Sequence, residues 1–66
     1  MNHERVGRLR QLLVDYKDIQ RTSEQLVPSN ALEMRLKSIM QQMAKANVEI
    51  IKIIEAELTK ELQNEN

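Results

Sequence analysis

Ser23, Ser29 and Ser38 are the side chains of this chain most suited to nucleophilic chemistry. A serine hydroxyl attacks only when a base sits within hydrogen-bond reach, and the one histidine, His3, stands far from all three at the chain start. With no cysteine in the sequence, a thiolate nucleophile, a disulfide and a thiolate metal site are all excluded. A metal would have to rest on carboxylates, and the ten acidic residues are spread without forming a cluster. Tyr16, the sole aromatic residue, reads as a packing residue with its hydroxyl at the rim. Catalysis also needs a pocket, and 66 residues are too few to enclose a substrate. The sequence therefore predicts no catalytic residue, no cofactor and no metal.

Two other groups of residues invite a binding role. Arg5, Arg8, Arg10, Lys17 and Arg21 concentrate positive charge in the first third of the chain. They form the candidate contact set for a nucleic-acid-binding helical hairpin dimer. Two features weigh against that reading. The ten basic residues are balanced by ten acidic ones, so no field of one sign dominates. Aromatic platforms on which bases could stack are also missing. The plainer reading pairs Arg5, Arg8 and Arg10 with Glu55, Glu57 and Glu61 across neighbouring helix ends. The second group is Met34, Met40 and Met43, whose flexible thioethers suit either core filling or an adaptable binding surface.

The elements that would position these residues are helices. One Gly, one Pro and no Phe or Trp, with abundant Leu, Ile, Met, Gln, Glu, Lys and Arg, make an all-α chain. No apolar run approaches the roughly 18 residues of a membrane span. The segment "MNHERVGRLR" lacks the apolar stretch of a secretory signal. These features, with the absence of cysteine, set a cytoplasmic expectation.

One strong break divides the chain, at "LVPSNALE". Pro28 disfavours a helical Val27 and cannot donate a backbone hydrogen bond. Asn30 then offers an N-cap, with Glu33 three residues on as its capping-box partner. The expected organisation is a single domain over 1–66. Helix 1 covers about 2–26, the turn 27–29 and helix 2 about 30–63, with a frayed tail at 64–66.

Helix 1 carries a stripe of Val6, Leu9, Leu13, Tyr16, Gln20, Ser23 and Val27, with Leu12, Ile19 and Leu26 beside it. Helix 2 has two apolar rows. The first is Leu32, Leu36, Ile39, Met43, Ala46, Ile50 and Ile53. The second is Met40, Ala44, Asn47, Ile51, Ile54, Leu58 and Leu62. A short turn makes the helices antiparallel neighbours. With the first row facing helix 1, Val27 pairs with Leu32, Tyr16 with Met43, Leu9 with Ile50 and Val6 with Ile53. With the second row inward the register is nearly the same, and the sequence does not choose between the two rotations.

Helix 2 has more apolar surface than helix 1 can cover. At about 100° per residue, the apolar side chains of 48–58 sweep roughly 220°, against about 100° for an ordinary surface helix. Helix 1, at about 25 residues, spans about 37 Å, and helix 2, at about 34, spans about 51 Å. Leu58 and Leu62 are thus expected to project past the hairpin's end. Leaving Ile51, Ile54, Leu58 and Leu62 in water would forgo about 1.5–3 kcal/mol each, a large share of a small domain's stability.

The segment "RLKSIMQQMAKANVEIIKIIEAELTKEL" resembles the C-terminal helical segment of flagellar export chaperones of the FliT type, with an asparagine near its middle followed by apolar residues at helical spacing. The overall plan is similar to that of the short hairpin co-chaperones of type III secretion needle subunits. The chain is shorter than the helical bundle usual in the flagellar family. The resemblance implies an apolar stripe that receives an aggregation-prone export substrate or co-chaperone.

The sequence thus predicts an antiparallel two-helix hairpin that dimerises into a four-helix bundle. It would act without catalysis, as a small adaptor, chaperone-like or regulatory protein whose partner is itself or another helical protein. The expected contact residues are Met40, Asn47, Ile51, Ile54, Leu58 and Leu62, which would take a partner helix along their length. Asn47 on that stripe reads either as a register-fixing polar residue or as the edge of the seam.

Overall fold

A computed structural model describes residues 2–63, which form two α-helices, α1 (His3–Gln25) and α2 (Ala31–Gln63). The expected tail fraying at 64–66 lies outside the described residues. The helices fold back on each other as a hairpin with extents of 53 × 17 × 13 Å. The long dimension is that of α2 alone, since 33 residues at 1.5 Å rise span about 50 Å.

Each helix start is built as the sequence requires. The Asn2 side chain accepts a hydrogen bond from the Arg5 amide at 3.1 Å, satisfying one of the four amides a helix start leaves unpaired. Glu4 adds a negative charge in the first turn, where the helix dipole favours it. At α2 Asn30 is the N-cap, and Glu33 returns a bond to the Asn30 side chain, where a capping box would bond the Asn30 backbone N–H. The Glu33 amide donates to Asn30 Oδ1 at 2.8 Å, and the Glu33 carboxylate accepts from the Asn30 amide group at 3.1 Å. Ser29 joins it, donating to the same carboxylate through its backbone N–H at 3.2 Å and its hydroxyl at 3.0 Å.

The end of α1 is closed from the other helix. Leu26 is extended (φ −65°, ψ 120°), and its amide still donates to the Thr22 carbonyl at 3.0 Å. Pro28, two residues on, prevents the helix from continuing. The last turn of α1 carries no basic residue of its own. Lys37 of α2 supplies the cation instead, donating from Nζ to the Leu26 carbonyl across the turn. The connection thus occupies 26–30, slightly longer than the turn expected at 27–29.

Packing between the helices chooses the rotation that the sequence left open. On α1, Val6 is 4% exposed and Ser23 6%, with Leu9, Leu13, Tyr16 and Gln20 half-buried between them. On α2, Ile54 is 7% exposed, and Met40, Ala44, Asn47, Ile51, Leu58 and Leu62 are half-buried. The second row therefore faces α1. The first-row pairings fail, because Val27, Leu32, Met43 and Ile53 are all exposed.

Charges on both shoulders of the seam match this rotation. Arg5 reaches Glu57 and Glu61 on one shoulder, and Lys17 reaches Glu55 at 3.6 Å on the other. Glu55 and Glu57 flank Ile54 and Leu58 at helical spacing, so both shoulders meet cations only when this row points inward. Leu58 and Leu62, expected to project bare, are half-buried. Arg5, extended as far as Glu61, lies over this end of α2, its methylene stem available to cover apolar surface.

Candidate functional site

With the second row turned inward, the six residues expected to receive a partner (Met40, Asn47, Ile51, Ile54, Leu58 and Leu62) are placed on the α1 side of α2. The apolar surface that remains outward is the first row. Leu32, Leu36, Ile39, Met43 and Ile53 are exposed, Leu32, Met43 and Ile53 to more than 60%, with Ala46 exposed and Ile50 half-buried among them.

This row belongs to a broader face. Its centre lies about 90° around α2 from the seam, and Leu12, Ile19 and Leu26 lie a similar angle around α1, on the same side of the hairpin. The two contributions meet at a cleft of about 60 Å³ lined by Ile19, Gln20, Ser23, Met40, Met43 and Asn47. Val14, Met34 and Val48 are exposed as well, but helical spacing puts them off this face, singly, as on most protein surfaces. The outward row of α2 is apolar at helical spacing from Leu32 to Ile53. The Arg5–Glu57–Glu61 cluster bounds it at one end.

The cleft brings together the three polar residues of the apolar stripes. Ser23 is buried, and Gln20 and Asn47 are half-buried. The Gln20 amide group donates to Glu24 at 3.1 Å, while its carbonyl oxygen is buried without a hydrogen-bond partner. Stripe spacing puts all three at otherwise apolar positions. Their meeting in one cleft, and its opening onto the outward face, follow from the rotation.

The basic residues are arranged differently. Arg5 is held by Glu57 and Glu61, Lys17 by Glu55, and Arg21 by Asp18 one turn earlier. Arg8 shares an open groove with Asn2, Glu4, Arg5, Leu9 and Leu12, a lining that includes a carboxylate. Arg10 is exposed. Three of the five candidate phosphate contacts thus already carry an acidic partner. No helix of the described residues is long and apolar enough to cross a membrane.

No protein-family model matches the chain, nor does any curated protein or solved structure.

Proposed function

We propose that this chain is a non-catalytic interaction module, a small cytoplasmic adaptor or chaperone-like protein that works by helix–helix association. Its contact surface is the outward row of α2 with Ile19 and Leu12 of α1. In isolation a second copy covers it and the two hairpins form a four-helix bundle. In the cell a partner helix of similar amphipathicity competes for the same face.

The observation that carries this reading is the outward apolar row itself. Buried side chains of low residual exposure are few, with Val6 and Ile54 the only buried apolar residues described. The surface area makes the same point. A compact monomer of 7.7 kDa exposes about 4,300 Å², and this hairpin exposes 5306 Å². The difference, about 1,000 Å², is comparable to the roughly 800 Å² that each partner contributes to a standard stable interface. Zero formal net charge means that two copies meet without net repulsion.

Light scattering on eluting chains provides the test. The parent chain should elute with the mass of a dimer, Ile39→Asp and Ile53→Asp as monomers, and Arg10→Glu as a dimer. Retention of the dimer by both aspartate variants would remove the outward row from the interface.

A further inference from the structure

The outward face changes character along the hairpin. At the turn end it carries Leu26, Leu32 and Leu36. At the open end the same two helix faces finish in charge. Glu57 follows Ile50 and Ile53 on the outward row of α2, and Arg8 precedes Leu12 and Ile19 on that side of α1. Glu57 gives only Oε2 to Arg5, which leaves Oε1 able to accept from a second cation. Arg8 is exposed and lines an open groove with Leu9 and Leu12. It makes no ion pair among the described residues, although Glu4 stands one turn before it.

Two-fold pairing of such faces has two geometries. The axis either runs along the helices, with both turns at one end, or crosses them, with the turns at opposite ends. Resting on the self-association reading above, we propose that the axis runs along the helices, so that α2 of each copy packs on α1 of the other and Arg8 meets Glu57 between copies. A closed two-fold along the helices permits no slip, so the hairpin's own register becomes the register of the dimer. Within the hairpin Arg5 stands level with Glu57, Ile19 with Met43, and Leu26 with Lys37. Leu12, Ile19 and Leu26 of one copy therefore come level with Ile50, Met43 and Leu36 of the other. Arg8 of one copy comes within one turn of Glu57 of the other, twice by symmetry, and this charge complementarity selects the orientation. An axis across the helices also sets apolar residues together at the centre. It lays Arg8 and Glu57 at the other copy's turn end, beside Leu32, rather than beside each other.

One spin label on each copy tests the arrangement, since the chain has no cysteine to compete for it. Lys60 is exposed near the open end of α2, and Lys60→Cys carries the label. With the open ends together, the labels sit on diagonal helices of one bundle, less than about 35 Å apart. With the ends opposed, each label lies about 25 Å along α2 from a centre at Met43, and the pair stands about 50 Å apart. Double electron–electron resonance should give the shorter distance. Arg8→Glu should weaken the dimer about tenfold in sedimentation equilibrium, with the helices intact by circular dichroism, whereas Arg10→Glu should not. The longer distance, or a dimer unchanged in Arg8→Glu, would overturn this arrangement, and a dimeric mass for the labelled chain would then leave the self-association reading standing. If the parent chain sediments as a monomer, the reading and this inference fall together.

Discussion

Arg5 of α1 bridges two carboxylates of α2, donating from Nη2 to Glu57 at 3.1 Å and from Nε to Glu61 at 3.2 Å. The two acceptors are one helical turn apart, so a single planar guanidinium fastens the first turn of α1 to the last two turns of α2. Glu61 is the more sheltered of the pair, with a side chain 20% exposed. Exposed ion pairs contribute little singly, about 0.2–1 kcal/mol. Arg5→Ala should therefore lower stability by about 1 kcal/mol, and the loss should shrink in high salt. Thermal unfolding followed by circular dichroism at two salt concentrations measures both effects.

The turn offers a sharper prediction. Asn30 and Glu33 satisfy each other's polar groups, and Ser29 closes onto the same carboxylate. Removing an N-cap side chain costs about 1 kcal/mol, and in a domain of this size that shifts the melting temperature by about 4–8 °C. Asn30→Ala should show this drop. Glu33→Ala, which strips a partner from both Asn30 and Ser29, should show at least as much. Both are read from the melting temperature.

Gly7 stands inside α1 with open space where a Cβ would go, and nothing lies within 4 Å of that position. Glycine in a helix interior is about 0.5–1 kcal/mol less favourable than alanine. Gly7→Ala should raise stability by that amount and leave the association state unchanged. Urea denaturation at fixed chain concentration checks it.

Much of the fold was legible in the sequence for identifiable reasons. Pro28 with Asn30 and Glu33 states where one helix stops and the next begins, and the hydrogen bonds are formed as those residue types require. The rotation of α2 was not legible from apolar periodicity, because two rows of equal length sit about 90° apart and either could face α1. The charges agree with the rotation observed. Glu55 and Glu57 flank the second row, and Lys17 and Arg5 stand on matching shoulders of α1. Met40, Asn47, Ile51, Ile54, Leu58 and Leu62, expected from sequence to take a partner, lie on the row that faces α1. The closure of α1 by Lys37 could not be read locally either, as it joins residues on different helices.

Ile54 and Ile39 distinguish the two faces. Ile54 lies in the seam at 7% exposure, and Ile39 lies on the outward row. Truncating a buried isoleucine to alanine costs about 2–5 kcal/mol, a large part of the stability of so small a domain. Ile54→Ala should therefore lose helicity and association together. Ile39→Ala should keep its helices and lose affinity only. Far-ultraviolet circular dichroism, recorded across a dilution series, separates the two outcomes.

Nucleic-acid binding gives a contrasting expectation. Arg5, Lys17 and Arg21 are already paired with carboxylates, and the formal net charge is zero. Fluorescence anisotropy with a labelled RNA and a labelled DNA hairpin at low salt should show no saturable binding. Binding that falls steeply as salt rises would instead assign these cations to phosphates.

Sedimentation equilibrium of the unaltered chain over a wide concentration range decides whether the outward face of α2 is a contact surface between copies. The mass should rise from 7.7 kDa towards twice that value as concentration increases, with a melting temperature that rises in step. A chain that stays at 7.7 kDa at every concentration, fully helical and with a melting temperature independent of dilution, would contradict it.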